Sequence, residues 1–269
     1  MLPINTMRKP DRSQELLAGL MDQTYLEVFP TKTIANRLVH IPRNSFVGIS
    51  CSPTHGMEPT IALTEQLKTQ NDESRFKVIP HIAARMVRDK RHLKETLSRL
   101  EAVGVESIFI PAGDSKEALG KYSDSLQLLK DMADIDHKIK DIGVTAYPEG
   151  HPLINEKELT RFLQAKQSLA TYMVTQMCFD PQAIVNWLIR TRQAGVKLPV
   201  WIGLPGVADL TKLIPLSFRI GVGQSLKMLK KQKGLLRKLV SAKPYQPDEL
   251  LQGLEPHLGN ADLLIEGFH

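Results

Sequence analysis

Residues 172–204 read YMVTQMCFDPQAIVNWLIRTRQAGVKLPVWIGL and contain the signals of a strand, a helix and a second strand. The apolar run at each end is typical of a buried strand, and the apolar residues between them recur at the helical period. Asp180 followed by Pro181 is typical of a helix start, and Gly195 is typical of a helix end. The stretch therefore predicts a βαβ unit, the building block of a parallel sheet.

Strand and helix signals alternate in this way along the whole chain. We therefore predict an α/β protein with a (β/α)8 TIM barrel, formed as one domain over residues 1–269. Strands are predicted at residues 25–29, 46–50, 76–80, 107–111, 142–147, 172–179, 199–204 and 261–267. Outer helices are predicted between them, among others at residues 58–70, 90–102, 156–169 and 181–194.

Two regions depart from the regular pattern. Segment 206–259 is longer than one helix requires, which predicts extra helices in the seventh crossover. Residues 12–20 predict an additional helix before the first strand. No eighth outer helix follows the last strand, so either another element covers that side of the barrel or the chain has been shortened.

The composition is that of a soluble globular protein. The chain has 269 residues, 42% hydrophobic and 24% charged, which excludes disordered, fibrous and disulfide-scaffold proteins. Because neither a secretory signal nor an apolar run of about 18 residues is present, we predict a cytoplasmic protein without a membrane span. Cys51 and Cys178 lie far apart with no further ligand at metal-binding spacing, so neither a metal site nor a disulfide is predicted.

Much of the net charge of +6 lies in one run, KMLKKQKGLLRK at residues 227–238. Its leucines and basic residues segregate as on a solvated amphipathic helix, although it also suits an acidic ligand such as a nucleotide phosphate or a polyglutamyl tail. Only 6% of the residues are aromatic and no nucleic-acid-binding motif appears. We therefore predict no nucleic-acid partner.

Polar residues occur at the carboxyl ends of the predicted strands, where barrels of this type place their reactive groups. Glu27 shares one face of the first strand with Tyr25, although a carboxylate in an apolar strand is costly unless paired or protonated. The others are Ser50 ending the second strand, His81 after the third, Gly113 and Asp114 after the fourth, Tyr147 and His151 after the fifth, and Gln176 in the sixth. Their clustering predicts a functional site at the barrel mouth.

Each of these residues alone also has a purely structural interpretation. Glu27 would then form a salt bridge to a neighbouring strand, and His81 would be a hydrogen-bonded packing residue. Asp114 would cap the next helix, and Gln176 would bond the barrel backbone.

The ordered motifs resemble those of the methylenetetrahydrofolate reductases. The most specific are Tyr-Pro-Glu-Gly-His-Pro at 147–152 and Thr-Gln-Met-Cys-Phe-Asp at 175–180. The others are Leu-Glu-Val-Phe-Pro at 26–30, Pro-His at 80–81, Gly-Val at 104–105, Ala-Gly-Asp at 112–114 and Gly-Leu-Pro at 203–205. The matches follow the family's order and extend over nearly the whole chain.

The resemblance implies a TIM barrel that binds FAD and uses NADH or NADPH to convert 5,10-methylenetetrahydrofolate to 5-methyltetrahydrofolate. It implies that Glu27 is the general acid that protonates N10, in keeping with the raised pKa expected of a carboxyl group in an apolar barrel. Asp114 would favour the cationic iminium form and tune hydride transfer, and Gln176 would bind the pterin. The flavin would be lined by Ser50, His81, Ala112, Gly113, Asp114, Tyr147 and His151.

Two departures from the family concern the flavin. Residues 162–170 read FLQAKQSLA, where relatives carry basic residues and an Asp-Ala-Gly-Ala turn, so that only Lys166 remains to contact the flavin diphosphate. Ala112 stands where many relatives have Thr or Arg. These changes predict weaker FAD binding, or direct hydride transfer from a nicotinamide to the folate.

Two alternatives to this function stay open. The same site would also serve the reverse reaction, in which methyl-folate is oxidised. A protein that binds folate or flavin without turnover is the third interpretation, although such a protein has no need of an acid at position 27. A homo-oligomer is compatible with the sequence.

Overall fold

The computed structural model of this chain describes residues 12–42, 44–70, 76–219 and 244–269. Its strands are β1 (Tyr25–Val28), β2 (Ser45–Ile49), β3 (Phe76–Pro80), β4 (Ser107–Ile110), β5 (Asp141–Ala146), β6 (Tyr172–Thr175), β7 (Val200–Ile202) and β8 (Ile265–Phe268). Its helices are α1 (Arg12–Asp22), α2 (Ile34–Leu38), α3 (Glu58–Gln70), α4 (Lys90–Ala102), α5 (Ser125–Ala133), α6 (Glu156–Lys166), α7 (Pro181–Gln193), α8 (Leu210–Arg219) and α9 (Asp248–Leu254). Short 3-10 turns lie at Ala84–Met86, Glu255–His257 and Ala261–Leu263.

All strand pairs are parallel and follow the chain order, which confirms the predicted barrel-type α/β fold. The ladders form one sheet of β1 to β3 and a second of β4 to β8. His81 and Phe109 bridge the first seam, where the Ile82 amide donates to the Phe109 carbonyl at 2.8 Å. The seam between β8 and β1 has no ladder among the described residues, and side chains fill it instead, with the rings of His269 and Tyr25 4.3 Å apart.

The helix signals act as predicted in the βαβ unit of residues 172–204. The Asp180 side chain accepts hydrogen bonds from the backbone amides of Gln182 and Ala183, and Pro181 begins α7. After the helix, Gly195 adopts a φ of +83°, a left-handed conformation that glycine tolerates best. The cap and the turn therefore fix both ends of α7 and direct the chain into β7.

Two apolar layers hold the barrel. Inside it, aromatic and branched side chains from alternating strand positions pack together, namely Tyr25, Ile79, Phe109, Tyr172 and Val174. Outside it, the strands pack against the helices in a larger core that includes Leu97, Ile108 and Leu188. Because side chains of a strand alternate between the two faces, Glu27 lies on the inner side two residues after Tyr25.

Two predicted strands have different bounds. β6 ends at Thr175 rather than at residue 179, because the Cys178 amide leaves the ladder and donates to the Gly203 carbonyl. β8 begins at Ile265 rather than at residue 261. Asn260 caps a 3-10 turn there by accepting from the Asp262 amide, and Leu264, with a φ of +52°, ends the turn.

The predicted extra helices are confirmed where the structure describes them. α1 packs against β8, and its Leu17 and Leu20 join the main core, so it covers the outer face of β8. α8 and α9 both lie in the seventh crossover. The basic run at 227–238 lies outside the described residues. Among the helices that are described, none combines the length and the apolar character needed to cross a bilayer.

Candidate active site

Glu27 lies at the carboxyl end of β1 with its side chain in the barrel mouth. Its Oε1 accepts a hydrogen bond of 2.6 Å from the Ser50 hydroxyl at the end of β2. Nδ1 of His81, after β3, lies 3.6 Å from the same oxygen. Nε2 of His269, after β8, lies 3.9 Å from Oε2. We call these four residues the Glu27 cluster.

The Glu27 carboxylate remains reachable from outside. Its side chain is 39% exposed, whereas the side chain of His81 is 5% exposed and that of His269 is 12% exposed. The acid therefore lies at the open end of the cluster and the two imidazoles lie behind it. A ligand that enters the mouth meets the carboxylate first.

The acid-base state of Glu27 differs from the prediction. Burial raises its pKa, but the nearby His81 and His269 and the Ser50 hydrogen bond together lower the pKa below the ordinary value of 4.5. The sequence analysis considered only the apolar strand, and the lowering groups come from three other strands. In the ligand-free protein Glu27 is thus a carboxylate near neutral pH.

His81 is buried behind Glu27. Its Nε2 lies 3.1 Å from the Tyr25 hydroxyl, and its ring packs 4.8 Å from that of Phe109. Burial lowers the pKa of His81 to about 4, against a smaller raising effect of Glu27. His81 is therefore neutral near pH 7. Its ring both packs inside the barrel and lies beside the carboxylate of Glu27.

The segment after β4 carries three of the predicted site residues. Ala112, Gly113 and the exposed Asp114 lie on a stretch whose backbone bonds to the 3-10 turn after β3, where the Ala112 carbonyl accepts from Arg85. Gly113 has a φ of +96°. Asp114 does not cap the next helix, because α5 is capped by Asp124.

Asp114 acts on two aromatic residues of the loop after β5. Burial raises the pKa of Tyr147 and lowers that of His151, and the Asp114 carboxylate raises both values. The rings of Tyr147 and His151 contact each other edge to face, with centroids 5.0 Å apart. The structure thus brings these three predicted residues together, and we call them the Asp114 cluster.

Gln176 follows β6 directly. Its Oε1 accepts a 2.9 Å hydrogen bond from the Met177 amide, and its own amide donates to the Ala146 carbonyl. The structural interpretation, in which the Gln176 side chain bonds the barrel backbone, therefore holds for its side-chain oxygen. Its side-chain nitrogen has no hydrogen-bond partner in the described part of the chain, so it is left to donate to a ligand.

Lys166 is buried near two other residues that were predicted to line the flavin. It is 8% exposed and lines a cavity of about 130 Å³ together with Ala112 and Tyr147. Burial lowers its pKa to about 8, while Asp124 raises it slightly. The cavity is smaller than the roughly 300 to 1,000 Å³ typical of ligand sites.

A flavin dinucleotide needs cations or other donors for its diphosphate. The wider groove beside His151, about 620 Å³, is lined by Glu149, Glu156 and Asp180, and its Arg190 pairs with Glu156 at 3.0 Å. Ala112 offers no side-chain donor. Within the residues described, the groups predicted for the flavin therefore do not fit the diphosphate of FAD.

Sequence reasoning missed His269. The rule that selected His81, a polar residue directly after an apolar strand, also applies to His269 after Phe268. The predicted strand ended at residue 267, so the residue was passed over. Among the described residues, no three His, Cys, Asp or Glu side chains are arranged to hold a metal ion.

Comparisons with known proteins point to one family. The model of the family Methylenetetrahydrofolate reductase matches residues 24–224 of this chain. Methylenetetrahydrofolate reductase 2 of Saccharomyces cerevisiae is 34% identical over 74 residues, which is 26% of this chain and 12% of the yeast protein. The match to that relative thus spans a small part of its length.

A solved structure shows the same fold. It is that of an uncharacterized protein from Clostridium thermocellum that binds two copies of 5-methyl-5,6,7,8-tetrahydrofolic acid. The TM-score is 0.61 at 14% identity, and the superposition covers 95% of this chain and 91% of the other. At this level of identity the likeness concerns the fold alone.

Proposed function

Because the chain belongs to the methylenetetrahydrofolate reductase family, whose model matches residues 24–224, we propose that it reduces 5,10-methylenetetrahydrofolate to 5-methyltetrahydrofolate. The hydride comes from NADH or NADPH. The observation that carries the proposal is the Glu27 cluster, an open carboxylate at the barrel mouth with two imidazoles and a hydroxyl around it.

The reaction requires one proton and one hydride. The bond between N10 and the bridging carbon breaks, its electron pair stays on N10, and N10 takes a proton. The carbon is then part of a cationic iminium with N5, and hydride addition turns it into a methyl group. Glu27 is the group that delivers the proton, since a positioned acid contributes about 10² to 10⁴ in rate.

The lowered pKa of Glu27 is that of the ligand-free protein. A bound pterin displaces water from the open carboxylate, and loss of water disfavours the charged form of an acid. The pKa of Glu27 therefore rises on binding, and the carboxyl group takes up the proton that it passes to N10. Glu27 therefore acts as an acid in the complex with the folate and not in the ligand-free protein.

The remaining site residues orient the substrate and stabilise its charge. The free side-chain nitrogen of Gln176 donates to an acceptor of the pterin. Asp114 stabilises the iminium cation electrostatically. Tyr147 and His151 offer a packed aromatic surface beside it.

The hydride of the reduced nicotinamide can reach the folate by two routes, through FAD or directly. FAD is the cofactor that the resemblance implies, and it stays a proposal with its own test. The buried position of Lys166 and the acidic groove beside His151 favour the second route, in which the reduced nicotinamide gives its hydride directly to the folate. In both routes Glu27 supplies the proton.

The experiment is a spectrum of the purified protein, followed by addition of NADH or NADPH and then of methylenetetrahydrofolate. Flavin absorbance that bleaches with the nucleotide supports the FAD route, and a colourless protein that oxidises the nucleotide only with folate supports the direct route. Rates with methyl-folate and an artificial acceptor measure the reverse direction. Folate binding without turnover in either direction refutes the enzyme and supports the binding protein.

The matched variants are Glu27→Gln and Glu95→Gln. Glu95 is an exposed glutamate on α4 that forms an ion pair with Arg91. We expect Glu27→Gln to lower kcat for folate reduction by about 10² to 10⁴ with folate binding retained, and Glu95→Gln to leave kcat unchanged. Equal activity of the two variants would remove Glu27 from the mechanism.

A further inference from the structure

The loop between β4 and α5, residues 111–124, carries Asp114 and contains no helix or strand of its own. The position of such a loop depends on the bonds that its backbone makes to other elements. The Arg85 amide donates to the Ala112 carbonyl at 2.9 Å, and the Arg85 carbonyl accepts from the Leu119 amide at 2.7 Å. The main chain of Arg85 therefore holds the loop on both sides of Asp114.

The Arg85 side chain adds two further bonds to the same loop. Its Nη2 donates to the Lys116 carbonyl at 2.6 Å, and its Nη1 donates to the Ser123 carbonyl at 3.1 Å. Its Nε, by contrast, is buried without a hydrogen-bond partner among the described residues. A buried N–H group without a partner costs free energy and calls for an explanation. The explanation here is the pair of bonds that the Nη atoms make to the loop.

Asp114 lies between two of these anchor points. Ala112, two residues before it, is held by the main chain of Arg85, and Lys116, two residues after it, is held by the guanidinium. Beyond Lys116, the next bond to Arg85 is that of the Leu119 amide. Loss of the guanidinium therefore lengthens the stretch around Asp114 that has no anchor on Arg85.

We propose that Arg85 is a positioning residue that holds the Asp114 carboxylate beside Tyr147 and His151. The inference rests on the proposed function, in which Asp114 stabilises the iminium cation of the folate. Electrostatic stabilisation of this kind depends on a charge that is already in place when the cation forms. A displacement of about 1 Å can cost about 10² in rate. Arg85 thus acts through Asp114 rather than on the folate itself.

The kinetic test compares Arg85→Met with wild type. Methionine keeps much of the side-chain volume and the main-chain bonds but removes both guanidinium donors. We expect kcat for folate reduction to fall about 10- to 100-fold, with the KM for methylenetetrahydrofolate within about twofold of wild type. In an Asp114→Asn background the same substitution should lower kcat by no more than about twofold, because the charge that Arg85 positions is already gone.

A measurement without turnover tests the positioning itself. Burial lowers the pKa of His151, and the Asp114 carboxylate raises it. Imidazole ¹⁵N spectra assign His151 by comparison with His151→Gln and follow its titration. We expect Arg85→Met to lower the pKa of His151, in the same direction as Asp114→Asn, and the double variant to match Asp114→Asn. Loss of the Arg85 charge alone would raise that pKa, so a fall reports a displaced Asp114.

Two further variants control for the lost charge and for folding. Arg88 is exposed, and its carbonyl accepts from the Lys121 amide of the loop at 3.0 Å, a bond that does not depend on the side chain. Arg88→Met should therefore leave kcat and the pKa of His151 at wild-type values. Arg85→Lys keeps one donor group and should give intermediate values, so it carries the test if Arg85→Met does not fold. The other charged groups of the groove beside His151 are present in every variant, namely Glu149, Glu156, Asp180 and Arg190.

The outcomes separate this proposal from its alternatives. A merely structural role for Arg85 would lower the melting temperature and leave the pKa of His151 unchanged. That result would overturn the proposal, as would an equal fall of kcat in the wild-type and Asp114→Asn backgrounds. A wild-type protein without folate turnover would refute the proposed function instead, and the pKa of His151 would still report whether Arg85 holds Asp114 in place.

Discussion

The Tyr25 hydroxyl lies 3.1 Å from Nε2 of His81, the ring nitrogen that does not face Glu27. The other nitrogen, Nδ1, faces the Glu27 carboxylate, which only accepts hydrogen bonds. Nδ1 therefore bears the hydrogen, and Nε2 accepts from the phenol. Glu27 thereby selects the His81 tautomer, and the Tyr25 hydroxyl supports it by donating to Nε2.

We expect Tyr25→Phe to lower kcat for folate reduction, because Nε2 of His81 loses its donor and the Nδ1 tautomer beside Glu27 is less strongly favoured. The free energy of unfolding should fall by about 1 to 3 kcal/mol, the usual cost of an unpaired buried group. Both effects are measurable by steady-state kinetics and urea denaturation.

Tyr122→Phe is the control for this prediction. Tyr122 is equally buried, and its hydroxyl donates to Asp131 on the outer helix α5 and not to a residue of the Glu27 cluster. It should lose comparable stability and keep its kcat. If the two variants have the same kcat, the bond between Tyr25 and His81 has no part in the reaction.

The sequence allowed the position of Glu27 to be predicted but not its charge state. Alternation along β1 places Glu27 on the face of Tyr25, which is a local property. The groups that lower its pKa come from the ends of β2, β3 and β8, and only the folded arrangement of the strands brings them together. A prediction made from one strand therefore gave the wrong direction for the pKa.

Lys166 illustrates the opposite case, in which a residue type suggested a contact that burial prevents. On α6 it lies on the helix face that is turned inward, beside Leu163. Replacing it by methionine should raise the free energy of unfolding by about 2 to 3 kcal/mol near neutral pH, since the variant no longer buries a charge.

The sign of the pH dependence follows from the two pKa values. Folding lowers the pKa of Lys166 from 10.5 to about 8, so the unfolded chain binds more protons between these values. Wild type therefore gains stability as pH rises through this window, and the advantage of Lys166→Met shrinks. Urea denaturation at several pH values measures this, with the exposed Lys157→Met on the same helix as the control. A constant difference would contradict the prediction, and flavin absorbance lost only in Lys166→Met would show a diphosphate contact.

Gly203, in the Gly-Leu-Pro motif after β7, is required by close packing. A Cβ atom there would lie 2.3 Å from the Thr175 carbonyl oxygen, whereas a Cβ at Gly206 would meet nothing within 4 Å. We expect Gly203→Ala to cost about 1 to 3 kcal/mol of stability and Gly206→Ala to be nearly neutral. Equal melting temperatures of the two variants would show that the backbone after β6 moves freely.

The Gly-Leu-Pro motif was recognisable in the sequence, but the physical reason for a glycine at position 203 was not. A resemblance identifies Gly203 as a family position without saying what crowds it. The crowding atoms belong to Thr175 and to the backbone of Gln176 and Met177, at the end of the neighbouring strand. Gly203 thus supports the segment that presents Gln176 to the mouth.

Gln176 offers the sharpest test of how the pterin is held. Its Oε1 must face the Met177 amide, because only the oxygen accepts, and this orients the side-chain nitrogen away from the backbone. Gln176→Glu keeps the bond to Met177 and replaces the free donor by a charged acceptor. The KM for methylenetetrahydrofolate should therefore rise by about tenfold or more, while the KM for the nucleotide stays unchanged. Gln193→Glu, at the exposed carboxyl end of α7 and thus at the opposite end of the barrel, introduces the same charge away from the mouth and should change neither KM. If Gln176→Glu instead raises both KM values together, the pterin does not depend on this donor, and the amide would serve only to close the turn after β6.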